Sequence, residues 1–166
     1  SVLFSSKVQG DHIAKAQAKA WAWLSHQLAQ AKHHHQVVWL LMHIPPGINM
    51  PHTILVANNI VSFWQPGLSR QLQRLLSHYP DTVKLIFSGH LHMDGMRFIS
   101  RGKHSSLMDS YVPSISPIFG NHPGFKYYQY LPSTGEVVDY QTVSRTKAGV
   151  WQRLYDYQRV YQPNCK

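Results

Sequence analysis

Three histidines carry the chemistry that this sequence offers. His43 closes the apolar run Val-Val-Trp-Leu-Leu-Met and is followed by Ile-Pro-Pro-Gly (37–47), while His90 and His92 lie in Ser-Gly-His-Leu-His (88–92). Each cluster follows a short, strongly apolar run that reads as a buried parallel strand. Side chains just past the carboxyl ends of such strands sit where α/β proteins build their sites. Imidazole is the commonest protein metal ligand. Two imidazoles one residue apart do not easily chelate one ion from an extended strand. From a tight loop they can serve two neighbouring ions. The pattern is that of half a two-metal hydrolytic site.

The elements that position these residues follow from periodicity. Gly10 breaks the chain, Asp11 is read as an N-cap, and a helix is predicted over Asp11 to Lys32. Trp21, Leu24, Leu28 and Ala31 form its apolar stripe. His33, His34 and His35 close it and are read as residues suited to a helix C-terminus rather than as a metal tract or a tag. A strand over Val37 to Met42 delivers His43, and Pro45, Pro46 and Gly47 force an irregular loop. Asn49 to Pro66 reads as loop-rich, with Phe63 and Trp64 either lining a pocket or packing in the core. A second helix is predicted over Gly67 to Tyr79, ended by Pro80. A second strand, Thr82 to Phe87, delivers Gly89, His90 and His92. From Asp94 on the pattern is all-β, with strands expected at Met96 to Ser100, Ser114 to Phe119, Phe125 to Leu131 and Val137 to Val143. The tail, Val150 to Tyr161, reads as the beginning of a helix.

The chain has 166 residues, one domain's length and enough for a real core. With 16 Lys or Arg against seven Asp or Glu, its formal charge is +9, which favours anionic partners such as phosphorylated substrates. The cations are scattered rather than blocked, so an enzyme with an anionic substrate ranks above a nucleic-acid-binding module. The single Cys165 cannot form an internal disulfide. No apolar run reaches transmembrane length. The opening Ser-Val-Leu-Phe-Ser-Ser-Lys lacks the layout of a signal peptide and looks like the middle of a strand, as in a fragment.

A strand ending in His-Ile-Pro-Pro-Gly, a helix, and a strand ending in Gly-His-Leu-His resemble the C-terminal half of a calcineurin-like metallophosphoesterase. The nearest branch is that of the acid-sphingomyelinase-like phosphodiesterases. Trp23-Leu24 and Gln27-Leu28 before the His43 strand, Ser114 to Pro117, then Asn121, Pro123, Gly124, Phe125 and the aromatic run Tyr127-Tyr128-Gln129-Tyr130 support that branch. The resemblance implies an α/β fold, part of a two-sheet β-sandwich flanked by helices. It implies that residues 1–166 are the C-terminal part of one such domain. It also implies hydrolysis of a phosphoester, in particular a phosphodiester, by a metal-bound hydroxide attacking phosphorus.

Carried over residue by residue, the resemblance makes His43 and His90 ligands of one metal and His92 a ligand of the other. The ions would be divalent transition metals, zinc first, with iron or manganese as alternatives. Two ions about 3.5–4 Å apart clamp both the attacking and the departing oxygen of an in-line displacement. The family's Asp-x-His, Gly-Asp-x-x-Asp and Gly-Asn-His-Asp/Glu segments are absent. With them go the bridging aspartate, the asparagine ligand and the histidine that assists the leaving group, so the catalytic residue is unassigned. Gly120-Asn121-His122 looks like the third segment but follows Gly-His-x-His, and Pro123 replaces its acidic residue. Asn121 and His122 are therefore expected on the substrate side of the metal face.

Asp94 either orients a ligand imidazole from behind or precedes Gly95 in a turn. Arg97, Arg101 and Lys103 either face a phosphate or decorate a solvated hairpin. His12, His26, His52, His78 and His104 read as surface residues, and Ser114 and Ser116 lack the partners of a serine nucleophile. The substrate class implied is a phospholipid headgroup or a nucleotide, and the compartment implied is secreted, periplasmic or lysosome-like. The missing N-terminal portion is the expected partner. The alternative is a truncated or degenerate phosphoesterase-like domain that binds without catalysing.

Overall fold

The computed structural model describes residues 2–55, 59–103 and 105–162, so the readings of His104 and Cys165 lie outside the described residues. The described chain is mixed α/β with two sheets. Its first part alternates helix and strand: α1 (Asp11–His33), β1 (Val38–Met42), α2 (Met50–Leu55), α3 (Leu68–Ser77) and β2 (Val83–Ser88). Five further strands follow, β3 (Gly95–Ser100), β4 (Ser106–Tyr111), β5 (Gly124–Tyr130), β6 (Val137–Arg145) and β7 (Trp151–Asp156), then the short α4 (Tyr157–Tyr161). One sheet has the order β1-β2-β4-β3, the other β5-β6-β7. β1, β2 and β4 run parallel and β3 antiparallel to β4.

The parallel pair reads as the sequence predicts. Val38, Leu40 and Met42 of β1 pack against the buried cluster formed with Leu28, Leu72, Leu76, Val83 and Ile86. Trp39 turns to the opposite face, where it meets Phe87 and Tyr130 edge-on at 5.9 and 5.0 Å. The stripe of α1 is buried at Trp21, Leu28 and Ala31. The second helix buries Leu72 and Leu76, the latter with no exposed surface. Each of these buried leucines contributes about 1.5–3 kcal/mol by leaving water.

Four expectations are corrected. Gly10, at φ 123°, is the N-cap of α1, and Asp11 is its first helical residue with no side-chain cap bond. Val2–Phe4 form a 3-10 turn, and only Ser5 makes a strand-like bridge, to Trp64. Ser114 to Phe119 are irregular, because Pro113 and Pro117 remove two ladder donors. The strand lies instead at Ser106–Tyr111, whose polar Asp109 and Ser110 hid its apolar signal. The tail forms β7 before α4, since Trp151 to Asp156 find a partner in β6.

Asp109 is fully buried in β4. Ser88 Oγ donates to its Oδ1 at 2.6 Å, and Arg97 Nε donates to its Oδ2 at 3.1 Å. Burial raises its pKa above the usual carboxylate range, and the Ser88 bond and Arg97 charge only partly oppose this. The native state therefore holds this proton more tightly than the unfolded chain. Its contribution to stability must fall as pH rises from about 3.9 through the raised native value. Urea unfolding of the wild type and Asp109→Asn across that window tests this. The stability difference in favour of the wild type is expected to shrink with rising pH, and growth would contradict it.

Candidate metal-binding loop site

The two histidine clusters converge because β1 and β2 are parallel neighbours in register, Met42 opposite Ser88. The loop after β2 is tied back to β1, as Gly89 N donates to the carbonyls of Met42 and His43 at 3.2 and 3.1 Å. A Cβ on Gly89 would sit 3.5 Å from His43 Nδ1, in ordinary contact, so this glycine lies directly against the imidazole. His90 and His92 adopt left-handed φ angles of 71° and 56°. That conformation costs L residues free energy, which the surroundings must offset. It turns an extended strand into the tight loop that paired imidazoles require.

His43 Nε2 and His90 Nδ1 lie 3.3 Å apart, their rings edge-on at 5.1 Å between centroids. Phe63 packs against the far edge of His90 at 5.8 Å. Burial, then His43, Lys7 and His92, push the His90 pKa below its ordinary value. His90 is thus favoured as the neutral imidazole, the form that binds a metal. Two nitrogens on a tetrahedral ion at about 2.0–2.1 Å each stand roughly 3.3 Å apart, so this pair fits two corners of one zinc. Among the described residues no third His, Cys, Asp or Glu joins them. The described donor set is incomplete, and no carboxylate stands within it.

His92 sits apart from this pair, its ring tilted against Phe119 at 4.7 Å, with its buried Nδ1 lacking a hydrogen-bond partner. It opens on a cleft of about 480 Å³ that Asp94, Asn121, His122, Arg145 and Lys147 also line. The structure therefore brings the expected substrate-side residues to one cleft with His92. Asn121 Nδ2 donates to the Ser116 carbonyl at 3.0 Å, and His122 Nδ1 lies 3.1 Å from the Arg145 carbonyl. A second hollow, about 240 Å³, lies on the other flank of His90 beside Lys7 and His52.

Asp94 stands in the loop that precedes Gly95, as one reading of it has it, and lines the cleft. It binds Lys126 at 2.6 Å and accepts from Tyr155 at 2.6 Å, touching no imidazole by these contacts. Arg97 is held by Asp109, and Arg101 donates to the carbonyls of Pro80 and Val83, so both are structural. Phe63 and Trp64 are core residues; Trp64 Nε1 donates to the Ile44 carbonyl at 3.1 Å, next to His43. His12, His26, His52 and His78 are exposed, as read.

Gly47 ends the Pro-Pro-Gly turn at φ 96°, and a Cβ there would run into the Arg97 guanidinium. Gly47→Ala should therefore cost about 1–3 kcal/mol through strain and a displaced Arg97. Thermal unfolding checks this, and a neutral result would mean the turn has room to relax.

Residues missed in the sequence include Lys126, Phe119 and Arg145. Lys126 had a signal. In Gly-Phe-Lys-Tyr-Tyr it stands in phase with Gly124 and Tyr128 on the inward face of β5. Phe119 and Arg145 had none, because loop and strand-end placement decides them.

No family model matches the chain. Curated proteins similar to it share a theme. Sphingomyelinase phosphodiesterase D of Dictyostelium discoideum is 27% identical over 153 residues, covering 85% of this chain and 33% of that protein. Sphingomyelin phosphodiesterase of Homo sapiens is 26% identical over 157 residues, covering 84% of the chain and 22% of that protein. Cyclic GMP-AMP phosphodiesterase SMPDL3A of Mus musculus is 24% identical over 129 residues, covering 74% and 28%. The chain resembles acid-sphingomyelinase-like phosphodiesterases, as its motifs imply. It spans about a fifth to a third of the length of these relatives.

Proposed function

We propose that this chain is the C-terminal part of a metal-dependent phosphodiesterase domain of the two-sheet metallophosphoesterase type. The observation that carries the reading is the 3.3 Å approach of His43 Nε2 and His90 Nδ1 at the carboxyl ends of two parallel strands. His43 and His90 would hold one divalent ion, zinc first, and His92 would hold a second. When bound, such ions supply an acidified water as nucleophile and neutralise charge on the phosphoryl oxygens.

The chain's own residues do the rest. Gly89 fixes His90 against His43 through its bonds to the end of β1. The cleft beyond His92 gives the substrate a path, with Arg145 and Lys147 as cations at its wall. The carboxylate ligands and the leaving-group acid would come from an N-terminal portion of the same domain. β1 supports this, since it is an edge strand whose Leu41 is 77% exposed. A groove of about 540 Å³ runs between that strand and α1, lined by Trp23 and Leu41. A long apolar edge of this kind calls for a cover.

The relatives' names point to a phosphodiester such as a phospholipid headgroup or a cyclic dinucleotide as substrate. A secreted, periplasmic or lysosome-like location is the one that goes with this reading. No helix of the described residues is long and apolar enough to cross a membrane. The test is hydrolysis of bis(p-nitrophenyl) phosphate by the chain joined to the N-terminal portion, with and without a chelator. Turnover that the chelator abolishes and zinc restores supports the reading. No turnover with zinc bound would leave the rival, a phosphoesterase-like binding module.

A further inference from the structure

We propose that Asp94 and Lys126 form a buried clasp through which the β5-β6-β7 sheet sets the position of the loop carrying His90 and His92. Both would then be positioning residues, a role that rests on the metal-loop reading above. Lys126 lies on β5 with its side chain fully buried. Its ammonium meets Asp94 Oδ1 at 2.6 Å, the Gly95 carbonyl at 3.1 Å and Ser110 Oγ at 3.1 Å. These occupy its three donors. It also stands over the ring of Tyr140, on β6, at 4.4 Å. Tyr155, on β7, donates to the other Asp94 oxygen at 2.6 Å. Burial and that bond push the Tyr155 pKa up to about 12, so the hydroxyl keeps its proton. Every strand of the second sheet thus contributes one side chain to a knot around one carboxylate.

The placement gives the knot its purpose. Asp94 is two residues beyond His92, at the far end of a loop whose near end is pinned to β1 through Gly89. Between these anchors stand two left-handed, non-glycine residues, His90 and His92. Such conformations persist only where the surroundings over-determine them. A surface carboxylate would suffice for a turn before Gly95. Burying an ion pair is expensive, and a fold that needed only packing would be served better by apolar residues. The clasp is therefore read as holding geometry rather than adding stability.

The test is amide hydrogen exchange of residues 89–93 in the 166-residue protein, compared with the amides of β2 and β4. The principal variant is Asp94→Asn with Lys126→Met, which leaves no charge unpaired in the interior. Tyr155→Phe is the second, since it removes only one hydroxyl and keeps the ring. Loop exchange is expected to accelerate about tenfold or more in the double variant and several-fold in Tyr155→Phe, with β2 and β4 unchanged. Lys126→Arg should restore wild-type protection. Unchanged loop exchange in the folded double variant or in Tyr155→Phe would overturn the proposal, as would acceleration spread equally over the whole sheet. The readout needs no metal. A failure of the metal reading shows separately, as wild-type protein that takes up no zinc when completed by the N-terminal portion.

Discussion

His90→Ala, made in the domain completed by its N-terminal portion, is expected to lower phosphodiester hydrolysis by more than about 100-fold. The reasoning runs from spacing to chemistry. Removing an outer partner of a metal ligand already costs about 10–100-fold in affinity or activity. His90 is nearer to the chemistry than that, since its Nδ1 stands 3.3 Å from His43 Nε2. Its loss removes one of the two imidazoles that would share an ion. The fold should survive, because the His90 side chain is exposed and only its ring edge touches Phe63. The variant's thermal midpoint should stay within a few degrees of wild type while its zinc affinity and turnover collapse. His43→Ala should behave alike. His78→Ala, exposed and remote in α3's C-cap, should change neither. Equal activity in His90→Ala and wild type would remove the site from consideration.

Trp64→Ala is expected to give the largest loss of stability, about 3–5 kcal/mol. Trp64 is 2% exposed and its ring meets Phe4 tilted at 5.0 Å, and Phe4 in turn stacks with Trp21 at 4.9 Å. This is the joint between the N-terminal turn, α1 and the segment before α3. The indole N–H also caps the Ile44 carbonyl, one residue past His43. Truncation therefore opens a cavity and removes a buried hydrogen bond. For a domain of this size the midpoint should fall by roughly 6–20 °C. The loop carrying His43 should loosen with it. Trp64→Phe should recover most of the packing but not the hydrogen bond. A loss under about 1 kcal/mol for Trp64→Ala would mean that the joint collapses around the gap.

The site was legible where short-range pattern and strand order decide geometry. Apolar runs of Val, Leu and Ile ending at His43 and at Gly89-His90 gave two parallel strands, and parallel neighbours must bring their carboxyl ends together. A tight loop was expected from Gly-His-Leu-His, but the left-handed φ of His90 and His92 left no mark in the sequence, since tertiary contacts impose it. The later strands, in both sheets, were harder. β4 carries Asp109, Ser110 and Ser106 among its six residues, so its burial comes from hydrogen bonds and an ion pair rather than apolar alternation. Trp151 to Asp156 carry spaced aromatics that suit a helix locally, and pairing with β6 overrides this. Local order in the sequence offers Asp94 two readings, behind the histidines or in the loop before Gly95, and neither names its partners. Its partners, Lys126 and Tyr155, stand 32 and 61 positions away on other strands, and a contact of that range leaves little local trace.

The central claim is that these histidines are one half of a metal site whose carboxylates lie elsewhere in the domain. Metal content measures it most directly. The chain, purified without chelators, and the same chain joined to the N-terminal portion would be compared by elemental analysis. Fewer than one equivalent of transition metal in the first and about two in the second is the expected result. Two tightly held equivalents in residues 1–166 alone, or none in the completed domain, would contradict it.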